Sequence, residues 1–144
     1  MKVRSLFVNL PVADVARSRA FFTALGLRID ERFSNAQAVC VVLHDSTSVM
    51  LLVPDFFRTF TKLPLADAAR QTEVLLALQV DTRDEVGGVV ARAVAAGATT
   101  PNAPQDHGFM MQHGFADPDG HQWEVFWMDP AGMPDTAAAD GANA

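Results

Sequence analysis

The sequence predicts an α+β fold in which one unit, a strand, a helix and then three strands, is written twice. Three observations predict it. Leu6-Phe7-Val8-Asn9-Leu10-Pro11-Val12 alternates like a half-buried strand and runs into Asp14, a helix N-cap, with Gly26 ending the helix. Val74 to Val80 alternates the same way and runs into Thr82-Arg83-Asp84-Glu85, a capping box, with Gly97 closing the second helix. Asp117-Pro118-Asp119-Gly120 is a strong turn signal between two further strand-like runs. Val80 and Gly97 follow Val12 and Gly26 at nearly the same offset, so the units are in near register.

Each element has its own justification. The first helix carries Val15, Phe22 and Leu25 at helical spacing, and the second carries Val86, Val89, Val90 and Ala93. Strands are expected at 27–33, 38–43 and 48–53 in the first unit and at 109–115 and 122–128 in the second. The second unit's counterpart of 27–33 falls near 98–101, where Pro101 and Pro104 make it short or irregular. Residues 56–72 read as a linker between modules at about 4–55 and 73–129, together one domain, and the Ala/Gly/Asp-rich 130–144 as a disordered tail.

Composition narrows the function. The 144 residues are 49% hydrophobic, enough for one sizeable core, and carry 11 Lys and Arg against 17 Asp and Glu, a formal net charge of −6. Without a basic run there is no electrostatic footprint for nucleic acid, and no helix is basic and amphipathic enough for a membrane surface. The apolar runs are too short for a transmembrane span or secretory signal, so a cytoplasmic protein is expected. Cys40 alone forms neither an internal disulfide nor a multi-cysteine zinc site, and inside an apolar run it reads as a small hydrophobe. No phosphate loop, Gly-x-Ser-x-Gly elbow or His-Glu-x-x-His helix is present in the sequence.

The opening strand with Asp14, the segment Arg19-Ala20-Phe21-Phe22-Thr23-Ala24-Leu25-Gly26-Leu27, the strand Val74 to Asp81, and Phe115-Ala116-Asp117-Pro118-Asp119-Gly120-His121-Gln122-Trp123-Glu124 together resemble the vicinal oxygen chelate superfamily. That superfamily contains glyoxalase I, extradiol dioxygenases, methylmalonyl-CoA epimerase, fosfomycin-resistance enzymes and bleomycin-resistance proteins. The resemblance spans residues 4–129. It implies tandem βαβββ modules whose sheets curl around a shared cavity, the glyoxalase/bleomycin resistance/dioxygenase fold, and chains that commonly pair as homodimers. In metal-dependent members the first and last strands of each module supply one ligand apiece. Carried onto this chain, those positions are Phe7, Leu51, Leu75 and Glu124, of which only Glu124 has a metal-binding side chain.

Strand alternation agrees with this placement. If Val74, Leu76, Leu78 and Val80 pack on the helices, Glu73, Leu75, Ala77 and Gln79 take the other face. By the same rule Phe7 and Asn9 face the cavity on the first strand, and Gln122, Glu124, Phe126 and Met128 on the last. Such a cleft is apolar with a few polar groups, as small-molecule pockets are.

Glu124 is the best candidate for a catalytic acid or base or a ligand acceptor, against a carboxylate that is merely paired or wetted. A four-residue turn at 117–120 would set His113 across from Glu124, beginning an acid–base pair or an unusual metal site, although a slip of one residue separates them. Asp106 can orient His107 near the cavity mouth, or the pair is simply turn composition; His44 and His121 are expected in solvent. Phe56, Phe57 and Phe60 form either an aromatic lid, with Arg58 or Lys62 offering a cation, or packing under the linker or at a subunit interface.

The leading expectation is a protein that binds a small, largely apolar or aromatic molecule, with no cofactor. The alternative is a lyase, epimerase or dioxygenase whose divalent metal sits in a displaced site built from Glu124, His113 and one of Glu73 or His107. A third reading is a structural or regulatory domain whose own side chains fill the cavity.

Overall fold

A computed structural model describes residues 1–132. The first module comprises β1 (Leu6–Pro11), α1 (Val15–Ala24), β2 (Arg28–Ile29), β3 (Ala38–His44) and β4 (Thr47–Leu52). The short α2 (Pro54–Phe57) leads into the connecting segment. The second module comprises β5 (Leu75–Gln79), α3 (Arg83–Ala95), β6 (Gln105–Asp106), β7 (Met110–Ala116) and β8 (Gln122–Met128). Each module is a four-stranded sheet, ordered β1-β4-β3-β2 and β5-β8-β7-β6, with β1 parallel to β4 and β5 parallel to β8. The two sheets are therefore copies of one topology, and they do not close on one another.

The helix boundaries follow their capping chemistry. The Asp14 carboxylate accepts the Arg17 backbone N–H at 3.0 Å at the start of α1, and the Glu85 carboxylate accepts that of Thr82 at 2.9 Å at the start of α3. Both helices end before a glycine at positive φ, Gly26 at 93° and Gly97 at 111°.

The strand expected at 27–33 is cut to two residues. Asp30 turns the chain into a 3-10 turn by accepting the Arg32 backbone N–H and ion-pairing with its guanidinium, while the Ser34 hydroxyl donates to the Asp30 carbonyl at 2.7 Å. Its counterpart in the second module is reduced further, to a single bridge from Thr99 to Ala116, with β6 resuming after the prolines. Pro130–Gly132, placed by sequence in a disordered tail, instead forms a 3-10 turn; 133–144 lie outside the described residues.

Helix α1 packs on β2, β3 and β4, α3 packs on β7 and β8, and the helices meet each other. Phe21 and Phe22 of α1 reach across to Phe115 and Trp123 of the second module, with ring centroids 6.0 and 5.2 Å apart. The helix sides of both sheets thus share one core, and the opposite faces of the sheets lie outside it.

Candidate functional site

The Asp-Pro-Asp-Gly turn is an internal clasp. Asp117, 5% exposed, accepts the backbone N–H groups of Asp119 and His121 at 3.0 Å each through Oδ1, and the Trp123 indole N–H at 3.0 Å through Oδ2. Asp119 reaches the first module, accepting the Ala13 backbone N–H at 2.8 Å and the Arg17 guanidinium at 3.0 Å. His121 is buried, not solvated as expected, because its Nε2 lies 2.6 Å from the Pro11 carbonyl oxygen. One turn therefore ties the start of β8 to the end of β1 and the first turn of α1.

The faces away from the helices carry most of the expected site residues. Phe7 and Asn9 are exposed on β1, and Leu75, Ala77 and Gln79 on β5, while Leu10, Leu76 and Leu78 turn inward. Glu124 and Phe126 stand half-buried on β8, on the face opposite the fully buried Trp123 and Val125. Leu51, by contrast, is wholly buried in the core. It pairs with Leu10, so Met50, paired with Asn9, holds the outward position in β4. Met50 is also the internal counterpart of Glu124, which pairs with Ala77 as Met50 does with Asn9.

The hairpin register separates His113 from Glu124. The connection spans five residues, so Ala116 pairs with Gln122, Gly114 with Glu124, and His113 with core-facing Val125. The His113 ring instead lies 3.2 Å from the Asn102 carbonyl oxygen. Gly114 is the residue that the sequence reading missed beside Glu124. A Cβ there would come within 2.8 Å of the Glu124 carboxylate, which lies across the bare glycine. Gly114→Ala is expected to cost about 1–3 kcal/mol by overpacking and to displace that carboxylate. An unshifted Glu124 carboxyl resonance in the NMR spectrum of the variant would contradict this.

The remaining candidates scatter. Asp106 does not orient His107: its carboxylate is taken by the Gly108 backbone N–H and the Arg83 guanidinium, which together hold it below the ordinary carboxyl value, and His107 is exposed. Phe56 and Phe60 stack edge to face at 5.3 Å, with Phe60 70% exposed, while Arg58 pairs with Asp55. Cys40 is buried, and desolvation pushes its thiol up and away from reactivity. The positions where the resemblance places metal ligands, with outward-facing Met50 taken in place of buried Leu51 beside Phe7, Leu75 and Glu124, offer one carboxylate and one soft thioether, a donor set that does not fit a catalytic divalent metal. Among the described residues no three His, Cys, Asp or Glu side chains are grouped to hold a metal ion.

A cavity of about 450 Å³ opens at the free edge of β1. Its walls are residues 8–11 of β1, the end of the hairpin connection and first residue of β8 at 120–122, Phe57, and a strap drawn from residues 61–74. Of the sequence candidates it gathers Asn9, Phe57 and Glu73. The strap crosses the clasp so tightly that a Cβ on Gly120 would lie 2.9 Å from the Ala68 carbonyl oxygen and from Ala69 Cα. Nothing in the periodicity of 61–72 announces this role; the signals were Gly120 in the turn and the run of Leu63, Pro64 and Leu65.

Comparison with known proteins agrees with this architecture. The family model described as the Glyoxalase/Bleomycin resistance protein/Dioxygenase superfamily matches residues 4–125. A hypothetical protein from S. aureus is 26% identical with a TM-score of 0.75, the match covering 88% of this chain and 95% of that one. A glyoxalase/bleomycin resistance protein/dioxygenase family enzyme from Burkholderia phytofirmans PsJN is 20% identical with a TM-score of 0.70, covering 85% and 96%. The fosfomycin resistance protein FosX from Listeria monocytogenes is 20% identical with a TM-score of 0.65, covering 94% and 95%. No curated protein matches in sequence. With two sheets of matching topology and a family match over most of its length, the chain belongs to the glyoxalase/bleomycin resistance protein/dioxygenase superfamily.

Proposed function

We propose that the protein binds a small, largely apolar or aromatic molecule without the help of a metal ion. The observation that carries this reading is the 450 Å³ cavity at the β1 edge, whose volume is that of a small-molecule pocket and whose walls are mostly apolar. The apolar residues at Phe7, Met50 and Leu75 support it, since they leave Glu124 without companion ligands. The alternative, a metal-dependent enzyme using Glu124 and His113, loses support from a register that turns His113 toward the core face.

A homodimer in the cytoplasm is part of the proposal. Among the described residues β1 and β5 each lie at the edge of their sheet. Leu6 and Phe7 on one, and Val74 and Leu75 at the other, leave large apolar side chains in solvent. No helix among the described residues is long and apolar enough to cross a membrane.

Elemental analysis of untagged protein purified without chelator tests the proposal. Below about 0.1 metal per chain is expected, also after soaking with nickel, zinc, manganese and ferrous iron. A ratio near one per chain would overturn it and direct mutagenesis to Glu124, His113 and His107.

A further inference from the structure

The cavity at the β1 edge is lined unevenly in charge. Among the described residues Glu73 is the one carboxylate on its wall, and no Lys or Arg lines it. The polar groups that accompany Glu73 are the carboxamides of Asn9, Gln71 and Gln122 and the hydroxyls of Thr61 and Thr72, each able to offer an oxygen, together with His121, whose Nε2 is engaged by the Pro11 carbonyl.

The backbone adds acceptors. Leu6 N–H donates to Ser46 and Val12 N–H to Leu52, so the even-numbered residues of β1 turn their backbone groups toward β4. The odd-numbered ones turn theirs to the free edge. Pro11 sits there without an N–H to lose, and its carbonyl is taken by His121. Of the residues lining the cavity, Asn9 therefore presents both its carbonyl and its N–H at this edge, without a strand partner among the described residues. Opposite them, Phe57, Leu63, Leu65 and Val74 supply an apolar wall.

Resting on the small-molecule reading above, we propose that the occupant is a cationic amphiphile: an apolar or aromatic body carrying a primary amine. Its ammonium would meet the Glu73 carboxylate and an oxygen from the Asn9, Gln71 or β1 backbone groups, and its body would lie against the strap. An ammonium has three protons to place, and this rim is rich in oxygen acceptors. An anionic ligand of the same shape would face Glu73 with no cation on the wall to receive it. A second, smaller pocket sharing Pro11, Leu65, Ala66, Ala68 and His121 adds the carboxylate of Asp67, while its other charged groups are already paired, Asp119 with Arg17 and Arg58 with Asp55.

Three probes of one shape separate charge from shape: 1-naphthylmethylamine, 1-naphthalenemethanol and 1-naphthoic acid. Calorimetric titration into the full chain should give affinities in the order amine, alcohol, acid, with the amine about fivefold tighter than the alcohol at low salt and the margin shrinking as salt is added. Glu73→Gln, at an exposed position, should erase that margin while the circular dichroism spectrum stays unchanged. Amide shifts on amine binding should fall on residues 8–11, 61–74 and 120–122.

Alcohol binding at that cavity with no preference for the amine, or a preference that survives Glu73→Gln, overturns the cationic assignment alone. Shifts confined to the Glu124 and Phe126 face overturn the location. No binding by any of the three overturns the small-molecule reading together with this one.

Discussion

Asp117→Asn is expected to lower the unfolding free energy by about 2–4 kcal/mol, since a buried acceptor of three N–H groups is replaced by one whose own N–H₂ must face a donor. The Trp123 indole N–H and the backbone N–H groups of Asp119 and His121 all converge on this carboxylate. Whichever way the Asn amide turns, at least one of them loses its partner. The loss should spread across the module boundary, because the turn that Asp117 shapes delivers Asp119 to α1 and His121 to Pro11. Asp119→Ala, which removes only the inter-module tie, should cost about 1–2 kcal/mol. Denaturant unfolding gives both values; an Asp117→Asn cost below that of Asp119→Ala would contradict the clasp.

The pH dependence has a definite sign. Desolvation pushes the Asp117 carboxyl above its ordinary value of 3.8, against the opposing pull of His121 and of the donated hydrogen bonds. In the window just above 3.8 the folded chain keeps a proton that the unfolded chain has released, so this group's contribution falls as pH rises through it. Asp30 and Asp106 are held low, Asp30 first by the Arg32 side chain and Asp106 first by the Gly108 N–H. Their contribution has the opposite sign, being lost as pH falls below the ordinary value. Comparing wild type with Asp117→Asn cancels the shared groups. The wild-type margin should narrow as pH rises through the Asp117 window, and a margin that widens there would contradict the assignment.

Gly120→Ala is the second large effect expected, about 2–4 kcal/mol, the sum of a left-handed backbone and an overpacked contact. Its φ is 92°, and the added Cβ meets strap backbone rather than the tip of a flexible side chain. Gly26 is the natural control: its φ is 93°, but a Cβ there meets nothing within 4 Å, so Gly26→Ala should cost about 1 kcal/mol. The difference between the two variants reports the strap contact. Because Ala68 belongs to the cavity wall, Gly120→Ala should also open residues 61–72 to limited proteolysis and weaken ligand binding. Equal costs at the two glycines, with the strap still protected, would mean that the strap is not seated on the turn.

Much of the fold was legible because its signals are local. Asp14, Thr82 with Glu85, Gly26 and Gly97 mark helix ends through chemistry within a few residues, and β5 alternates cleanly enough to assign both faces. Where alternation fails, the reading slipped. Val49, Met50, Leu51, Leu52 and Val53 are apolar without a break, so Leu51 and Met50 could not be told apart until the pairing with β1 fixed the register. The His113 pairing failed by one residue for a similar reason, since the hairpin connection extends through His121. His121 itself is buried by a carbonyl 110 positions earlier in the chain, a contact that no local pattern encodes. The cavity was the least legible part, being made by an aperiodic strap folded back on a sheet edge.

Binding of a small molecule at the β1 edge without metal is read by titrating 1-naphthalenemethanol into chelator-treated protein while following backbone amide shifts. Saturable binding at one site per chain is expected, with shifts at residues 8–11, 61–74 and 120–122 and no change when the chelator is replaced by zinc or manganese. Binding that appears only with added metal, with its shifts centred on Glu124, would contradict it.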